Sequence, residues 1–308
     1  MGPIDCAPCG KCPPAYGSAP FPHRNRSKVL CVTHIAKTGG TAALHQLIAW
    51  NYSVPGDGES CYHALRNGRG ARHPHAVMLR NPTDHVVSQW LYCSQSAWGR
   101  AVVRESPHAA IFQRWAHLHA RGKQVEALQG WLDWFVDQPA QPEHFNCYSP
   151  DNMQARALSC TSRRGFGSHG YSPPNLSVAL ASVASIENVG VLELHRPSMC
   201  LWFYRTHGFL PSTCRASCDR SSGRAALSPG GSSQVSSLHG KYASTLQQAP
   251  QLMARIHRLT ALDQLVYAAA VRRLERELLE TERRTGTPLI CREQLRLIHL
   301  RSPAIDVL

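Results

Sequence analysis

Residues 29–48 read VLCVTHIAKTGGTAALHQLI, and this stretch has the clearest structural pattern in the chain. Its apolar run Val29–Val32 is typical of a strand that is buried on both faces of a parallel sheet. A glycine loop, Thr38-Gly39-Gly40-Thr41, follows this run. Apolar residues then recur at helical spacing, at Ala43, Leu44, Leu47 and Ile48. Strand, glycine loop and helix in this order predict an α/β domain on a parallel sheet.

Similar patterns recur along the chain. A second apolar run, Ala76 to Leu79, leads into Asn81 as a helix cap and Pro82 in the first helical turn. A third strand is predicted at Val189 to Leu192, followed by a helix from Pro197 to His207. Further helices are predicted as two within residues 107–136, broken near Gly122, one from Ser149, one from Asn175, and a long amphipathic region over residues 245–284. The prediction is a P-loop-type parallel sheet flanked by helices.

Composition divides the chain into a folded centre and irregular ends. Residues 1–27 are rich in Pro, Gly and Cys without hydrophobic periodicity, so we expect an irregular arm. Residues 28–286 form the predicted domain, with a mobile Ser/Gly/Arg-rich loop at about 208–240, and residues 287–308 are predicted to be a C-terminal tail. The 43% hydrophobic content and 17% charged residues argue against wholesale disorder.

The charge balance is strongly basic. The 33 Lys and Arg exceed the 20 Asp and Glu, which gives a formal net charge of 33 − 20 = +13 in a chain of 308 residues. Such a charge attracts anionic partners, whether nucleic acid, a membrane surface, a polyanionic polysaccharide or a phosphorylated cofactor. No nucleic-acid motif is recognisable, and no secretory signal or membrane-spanning segment is expected from the sequence.

The chain has 12 cysteines, and two groups of them have suggestive spacing. Cys6, Cys9 and Cys12 have metal-ligand spacing, but a closed zinc site needs a fourth ligand, so no metal site is predicted. Cys214 and Cys218 are four residues apart in a polar loop, which favours a local disulfide or two free thiols. The count alone leaves the cellular compartment open.

The segment Lys37-Thr38-Gly39-Gly40-Thr41 has the composition of a phosphate cradle. Glycines let backbone N–H groups approach an anion, the helix N-terminus adds its dipole, and Lys37 with the Thr hydroxyls completes the donors. A nucleoside triphosphatase would need G-x-x-x-x-G-K-[ST], in which Lys follows the glycines. Here the Lys precedes them.

Two segments carry a family resemblance. His34–Thr41 resembles the H-I-x-K-T-G-G-T segment of Golgi carbohydrate sulfotransferases, which holds the 5′-phosphosulfate of 3′-phosphoadenosine 5′-phosphosulfate (PAPS). Arg80-Asn81-Pro82, with Ser88-Gln89-Trp90 after it, is similar to that family's R-D-P-x-x-R-x-x-S-x-W segment. The resemblance implies the PAPS-dependent sulfotransferase fold, with Arg80 and Ser88 on the 3′-phosphate.

Three further segments narrow the resemblance to enzymes of the heparan sulfate 6-O- and 2-O-sulfotransferase type. Cys61-Tyr62-His63-Ala64 is similar to a C-x-x-H-A-type segment whose His is the catalytic base. Asn152–Leu158 resembles an N-x-Q-x-R-x-L helix, and Leu262–Ala269 an L-D-x-x-L-Y-x-x-A helix. The chain departs from the family pattern at Ala36, Asn81 and His85, which stand in place of Pro or Gln, Asp and Arg.

The resemblance and the local chemistry together define an expected site. His63 and Lys37 are the expected catalytic residues, because sulfuryl transfer needs a base and a stabiliser of leaving-group charge. The cofactor residues are Lys37, Thr38, Gly39, Gly40, Thr41, Arg80 and Ser88. The candidate acceptor-binding residues are Arg66, Arg69, Arg72, Gln154 and Arg156. The expected acceptor is a sugar hydroxyl of an anionic polysaccharide or glycoconjugate, and the family resemblance implies the Golgi lumen.

Two other functions remain open at this point. A P-loop kinase-like phosphotransferase is disfavoured by the position of Lys37 and by the lack of an acidic Mg²⁺-binding motif near the loop. A non-catalytic polyanion-binding protein would explain the basic charge without the paired cofactor motifs. Binding of adenosine 3′,5′-bisphosphate without metal, compared with ATP and Mg²⁺, separates these functions.

Overall fold

A computed structural model describes residues 28–54, 59, 61–67, 72–137, 147–161, 173–215, 246 and 249–302. The predicted N-terminal arm, Arg69, Cys218 and most of the predicted mobile loop lie outside these residues.

The strands are short and all pair in parallel. They are β1 (Lys28–Val29), β2 (Cys31–Thr33), β3 (Tyr52–Ser53), β4 (His75–Leu79) and β5 (Asn188–Val191). β1 pairs with β3, while β2, β4 and β5 form a second sheet in the order β2-β4-β5. The predicted first strand is therefore divided between two sheets at Leu30. Every residue of β4 and β5 is buried, as the apolar runs predict.

Helices cover both faces of the sheets. They are α1 (Gly40–Ala49), α2 (Tyr62–Arg66), α3 (Pro82–Gln95), α4 (Ala97–Arg104), α5 (Ala109–Ala120), α6 (Gln124–Asp137), α7 (Met153–Ser159), α8 (Leu176–Ser185), α9 (His195–His207), α10 (Pro250–Leu259), α11 (Ala261–Thr285) and α12 (Arg292–Leu300). Short 3₁₀ turns occupy Leu192–Leu194 and Ser212–Cys214. The prediction of an α/β fold with parallel sheets flanked by helices is confirmed, and the arrangement is compatible with a P-loop-type fold.

Alternate residues of β4 contribute to two separate apolar cores. Ala76 and Met78 belong to a smaller core with residues of α1 and α9, whereas Val77 and Leu79 belong to a larger core with residues of α3, α7, α8 and α11. Successive strand residues point to opposite faces of a sheet, so one strand serves both cores. This double burial explains why β4 has no polar side chain after His75.

Asparagine side chains cap the N-termini of two helices, α3 and α8. Asn81 accepts hydrogen bonds from Thr83 N at 3.0 Å and Asp84 N at 3.3 Å, so the predicted cap of α3 is confirmed. Asn175 likewise accepts from Val178 N at 3.1 Å at the start of α8. The two predicted helices around Gly122 are α5 and α6.

The helix predicted from Ser149 instead begins at Met153, for a tertiary reason. Asn152 adopts a left-handed conformation, φ 44°, and its side chain accepts from Leu262 N at 2.8 Å. Asp263 in turn accepts from Gln154 N at 3.2 Å and from Ala155 N at 2.7 Å. The N-termini of α7 and α11 therefore cap each other, and this pairing sets where each helix starts.

The segment predicted as a C-terminal tail has regular structure. It contains α12, whose Leu295 and Ile298 are buried in the larger core. Glu282 of α11 accepts hydrogen bonds from Leu289 N at 2.7 Å and Ile290 N at 2.9 Å, which fixes the connection between the helices. Residues up to Ser302 thus pack as part of the folded domain, and the prediction of a tail from 287 needs correction over this range.

Disulfides connect distant parts of the chain. Cys61 pairs with Cys160, Cys93 with Cys147, and Cys200 with Cys214. The predicted local pair of Cys214 with Cys218 is therefore wrong, because α9 brings Cys200 against the Ser212–Cys214 turn. Cys31 and Cys291 are also disulfide-bonded.

Within the described ranges, no helix combines the length and apolar content that crossing a membrane requires.

Asn81→Ala is expected to destabilise the fold by about 1–2 kcal/mol, because it removes the cap of α3 at a buried position. The amide of Asn81 also donates to Ser302 Oγ at 3.0 Å, and that partner is lost too. Asn175→Ala, which removes an exposed cap from α8, is the matched control and should cost less. Urea unfolding measures both changes. Equal stability of Asn81→Ala and the unmodified protein would contradict this assignment.

Candidate anion-binding site

The glycine loop lies where two neighbouring parallel strands end. β2 ends at Thr33, residues 36–39 form the turn, and α1 begins at Gly40. β4 pairs directly with β2, and Arg80 follows its last residue. In open parallel sheets, ligands bind at the carboxyl ends of the strands. The two sequence segments that predict a phosphate site are therefore adjacent in space.

Close packing explains both glycines of the loop. Gly39 has φ 88°, and a Cβ atom there would lie 2.4 Å from Leu192 Cδ1. A Cβ atom on Gly40 would lie 2.3 Å from His34 Cδ2. A side chain at either position would displace the side chain of Leu192 or the imidazole of His34. Lys37 also has a positive φ of 63°, so the loop turns sharply at two positions.

Three successive carbonyl groups of the loop accept hydrogen bonds from side chains. Thr38 Oγ1 donates to Ile35 O at 2.9 Å, His85 Nε2 donates to Ala36 O at 2.7 Å, and Arg80 Nη1 donates to Lys37 O at 2.9 Å. Burial lowers the pKa of His85 to about 3, so its imidazole is neutral at physiological pH. The three carbonyl oxygens are thus each bonded to a side chain of the protein.

The first turn of α1 has backbone N–H groups that the hydrogen bonds of the helix itself do not use. The intrahelical ladder begins with the bond from Ala43 N to Gly39 O at 3.0 Å, so the N–H groups of Gly40, Thr41 and Ala42 precede it. No side chain of the described residues caps this helix, and its first turn has no acidic residue. Thr41 is exposed, so its hydroxyl is accessible beside these groups. Thr38, predicted as a cofactor residue, has its hydroxyl directed to Ile35 O.

Lys37 lies between a cation and a carboxylate. Burial and, to a smaller extent, the positive charge of Arg80 lower the pKa of Lys37 to about 8, while the charge of Glu59 opposes this change. The ammonium group lies 4.0 Å from the ring centre of Tyr92, a cation–π contact. Lys37 and Arg80 bring two positive charges to the loop, opposed by Glu59 at Lys37 and by Glu193 and Asp84 at Arg80. With the first N–H groups of α1, these two cations are the donors that an anionic ligand would use.

Glu59 is a component of this site that the sequence does not indicate. It forms an isolated parallel bridge with His34, and its carboxylate accepts a hydrogen bond from Tyr148 OH at 2.8 Å. Burial raises the pKa of Glu59, and the Tyr148 bond and the charges of His34 and Lys37 partly offset this. An acidic residue in a short polar segment has no distinctive pattern, and its placement depends on tertiary structure.

Buried side chains fix the position of Arg80. Gln154 Oε1 accepts from Arg80 N and Gln154 Nε2 donates to Arg80 O, both at 2.9 Å. Glu193 accepts from Asn81 N at 2.9 Å and from Tyr267 OH at 3.0 Å. Gln154, predicted to bind acceptor, is fully buried and therefore positions Arg80 instead.

Arg156, also predicted to bind acceptor, has a protein partner. Its Nη2 donates to Asp151 Oδ2 at 2.6 Å and to Asp151 O at 2.9 Å, and its side chain is 6% exposed. The segment Asn152–Leu158 therefore makes structural contacts through all three of its polar residues, Asn152, Gln154 and Arg156. Correcting these two predictions leaves Arg66 and Arg72 as the described candidates for acceptor binding, and both are exposed.

Ser88 and His63 have different surroundings. Ser88 is buried on α3, one turn before Tyr92, so both lie on the side of that helix near Lys37. His63 Nε2 lies 3.0 Å from Ser182 Oγ of α8, and burial lowers the pKa of His63. Arg80 thus bonds the carbonyl of Lys37, and Lys37 contacts Tyr92, one turn after Ser88. His63 instead contacts α8.

The position of α2 follows from Tyr62. Its ring packs edge-on against His63 and against His75, at centroid distances of 5.1 and 5.6 Å. His75 begins β4, whereas Arg80 follows its end, and five residues of strand span roughly 16 Å. Arg66, in the last turn of α2, donates to Tyr62 OH and to Ser185 Oγ. The helix with His63 therefore packs near the end of the sheet where β4 begins.

The described residues contain no group of three or more His, Cys, Asp or Glu side chains that could hold a metal ion. Comparison of the chain with protein-family models, with curated proteins and with solved structures found no match.

The charges around Lys37 predict opposite effects of two substitutions. Arg80→Gln should raise the pKa of Lys37, because it removes a neighbouring positive charge, and Glu59→Gln should lower it. We expect changes on the order of half a pH unit in each direction. Competitive acetylation with mass spectrometry measures the pKa, with exposed Lys123 as the internal reference. Shifts of the same sign in both variants would contradict this electrostatic arrangement.

Proposed function

We propose that this chain is a PAPS-dependent sulfotransferase that transfers a sulfuryl group to a sugar hydroxyl of a polysaccharide or glycoconjugate. The observation that carries the proposal is the adjacency of Lys37–Thr41, at the end of β2, and Arg80, at the end of neighbouring β4. A cofactor with anionic groups at both ends needs two such donor clusters. The resemblance of both segments to Golgi carbohydrate sulfotransferases supports the same conclusion.

The residues present fit this cofactor. Lys37, Thr41 and the first N–H groups of α1 would bind the 5′-phosphosulfate, and Arg80 and Ser88 would bind the 3′-phosphate. Burial and Arg80 together lower the pKa of Lys37 to about 8. An anion bound beside Lys37 would raise this pKa and stabilise the charged ammonium group. When bound, PAPS supplies a sulfuryl group whose bond to the 5′-phosphate oxygen breaks during transfer.

The chain must stabilise negative charge on the leaving phosphate and accept the proton of the acceptor hydroxyl. Lys37 suits the first task, because a positive charge at the loop interacts most strongly with the leaving phosphate when negative charge builds up on it. The resemblance assigns the second task to His63, and burial lowers its pKa, which favours the neutral imidazole. In this structure His63 contacts Ser182 of α8, and Tyr62 packs α2 against the start of β4, so the base would have to act from outside the loop. Glu59 is the rival base, because it is coupled directly to Lys37.

The disulfides support an oxidising compartment. Three pairs connect buried residues of the domain, and disulfides of this kind persist in secreted and lumenal proteins and are rare in the cytosol. The Golgi lumen implied by the family resemblance meets this requirement. The compartment is therefore part of the proposal.

Adenosine 3′,5′-bisphosphate should raise the melting temperature in the presence of EDTA, and more than ATP with Mg²⁺ does. Arg80→Ala should weaken its binding by roughly 1.5–3 kcal/mol, because a charge-assisted contact is lost and the carbonyl of Lys37 is released. Ser88→Ala should have a smaller effect. Calorimetry gives the affinities, with Arg121→Ala, an exposed arginine at the end of α5, as the control.

A larger shift by ATP with Mg²⁺ would favour the kinase-like function. Salt-sensitive binding of polyanions without any nucleotide binding would favour the non-catalytic function. Unchanged affinity in Arg80→Ala would remove Arg80 from the cofactor site.

His63→Ala is expected to lose turnover by about 10²- to 10⁴-fold while still binding adenosine 3′,5′-bisphosphate, because a positioned base is removed and the phosphate donors remain. Since the base must be neutral and burial lowers its pKa, the rate should rise with pH through a midpoint below the usual histidine value and level off above that midpoint. Glu59→Gln is the matched variant and should retain more turnover. The reverse order of the two variants would transfer the role of base to Glu59.

A further inference from the structure

The sequence contains the acceptor pattern for N-linked glycosylation, N-x-S with x any residue except proline, at Asn25, Asn51 and Asn175. The similar segment Asn81-Pro82-Thr83 is excluded by its proline. Asn25 lies outside the described residues, whereas Asn51 and Asn175 lie within them and are both exposed. The structure therefore allows two of the three acceptor segments to be compared.

The two described acceptor segments differ in their surroundings. In Asn51-Tyr52-Ser53, the central Tyr52 is buried, and Tyr52 and Ser53 form β3, which pairs with β1. In Asn175-Leu176-Ser177, both Asn175 and Ser177 are exposed, and the segment forms the N-terminus of α8. A glycan is bulky and must lie at the surface, so the segment at Asn175 suits it better.

The side chain of Asn175 uses only its oxygen to support the fold. Oδ1 accepts hydrogen bonds from Ser177 Oγ at 2.8 Å and from Val178 N at 3.1 Å. Nδ2 donates no hydrogen bond to any described residue. A glycan replaces one hydrogen of Nδ2 and leaves Oδ1 an amide oxygen, so the cap of α8 persists when the side chain is glycosylated.

The disulfides provide an independent observation. Three pairs connect residues of the domain, and disulfides of this kind persist in lumenal and secreted proteins. N-linked glycosylation marks the same class of protein. An inference about Asn175 rests on the lumenal compartment of the proposed function and not on its chemistry.

We propose that Asn175 carries an N-linked oligosaccharide. In this modification, Nδ2 forms a bond to the anomeric carbon of an oligosaccharide that is carried on a lipid diphosphate. The bond between that carbon and the diphosphate oxygen breaks, the lipid diphosphate leaves, and Nδ2 releases one proton. The lumenal oligosaccharyltransferase supplies the donor and the catalysis, and this chain supplies the exposed amide.

Glycopeptide mass spectrometry tests the proposal on the full chain, directed into the secretory pathway of cultured animal cells by a cleavable signal peptide. The peptide with Asn175 should carry an oligosaccharide that peptide-N-glycosidase F removes. Ser177→Ala should abolish this glycan, and Ser177→Thr should retain it, because the acceptor pattern requires either hydroxyl. Asn51→Asp, at the other described acceptor, should leave the glycan at Asn175 in place.

Asn175→Asp separates the loss of the glycan from a loss of folding. An aspartate accepts the same two hydrogen bonds at the start of α8, so its urea unfolding midpoint should match that of the enzymatically deglycosylated protein. A bare Asn175 in the unmodified chain, or a glycan that persists there in Ser177→Ala, would overturn the proposal.

Sulfuryl transfer from PAPS, measured on the same preparation, keeps the two proposals apart. Transfer by a chain with a bare Asn175 would overturn the glycan alone. A glycan at Asn175 in a chain that neither binds adenosine 3′,5′-bisphosphate nor transfers label would support the glycan and overturn the enzymatic function alone.

Discussion

The hydrogen bonds that Arg80 and His85 donate to the carbonyls of Lys37 and Ala36 are the constraint on which the candidate site depends. They connect the loop after β2 to the segment after β4. They hold two successive carbonyls of the turn directly before the first N–H groups of α1. Arg80 therefore has two roles. It bonds the carbonyl of Lys37, and its positive charge acts on the Lys37 ammonium group.

The rest of the domain holds Arg80 in place. Gln154 of α7 forms hydrogen bonds with both the backbone N–H and the carbonyl of Arg80. Glu193 accepts hydrogen bonds from Asn81 N and from Tyr267 OH of α11. α7 and α11 cap each other through Asn152 and Asp263. Helices distant in sequence thus form one rigid support beneath the loop, which explains why polar residues are buried there in pairs.

The sequence predicted the parts of this arrangement that depend on local pattern. Apolar runs identified β4 and β5, Asn81 and Asn175 were recognisable as caps, and the glycine loop before α1 was clear. The parts that depend on contacts between distant residues were not accessible. The helix predicted from Ser149 begins only at Met153, because Asn152 caps α11. The predicted C-terminal tail contains α12, and Cys214 forms its disulfide with Cys200 of α9.

Asn81 and His85, where the chain departs from the R-D-P-x-x-R-x-x-S-x-W pattern, both have local explanations. Asn81 donates through its amide to Ser302 Oγ, which an aspartate could not do, and its N–H already faces the carboxylate of Glu193. His85 is buried and neutral, and it bonds a carbonyl where a charged side chain would be costly.

Transfer of label from sulfur-labelled PAPS to a panel of polysaccharides in the presence of EDTA tests the central claim most directly. The account predicts labelled polysaccharide with the unmodified protein and a large loss of label with Lys37→Ala, while Lys123→Ala behaves as the unmodified protein. Absence of label on every polysaccharide, together with phosphate transfer from labelled ATP and Mg²⁺, would contradict it.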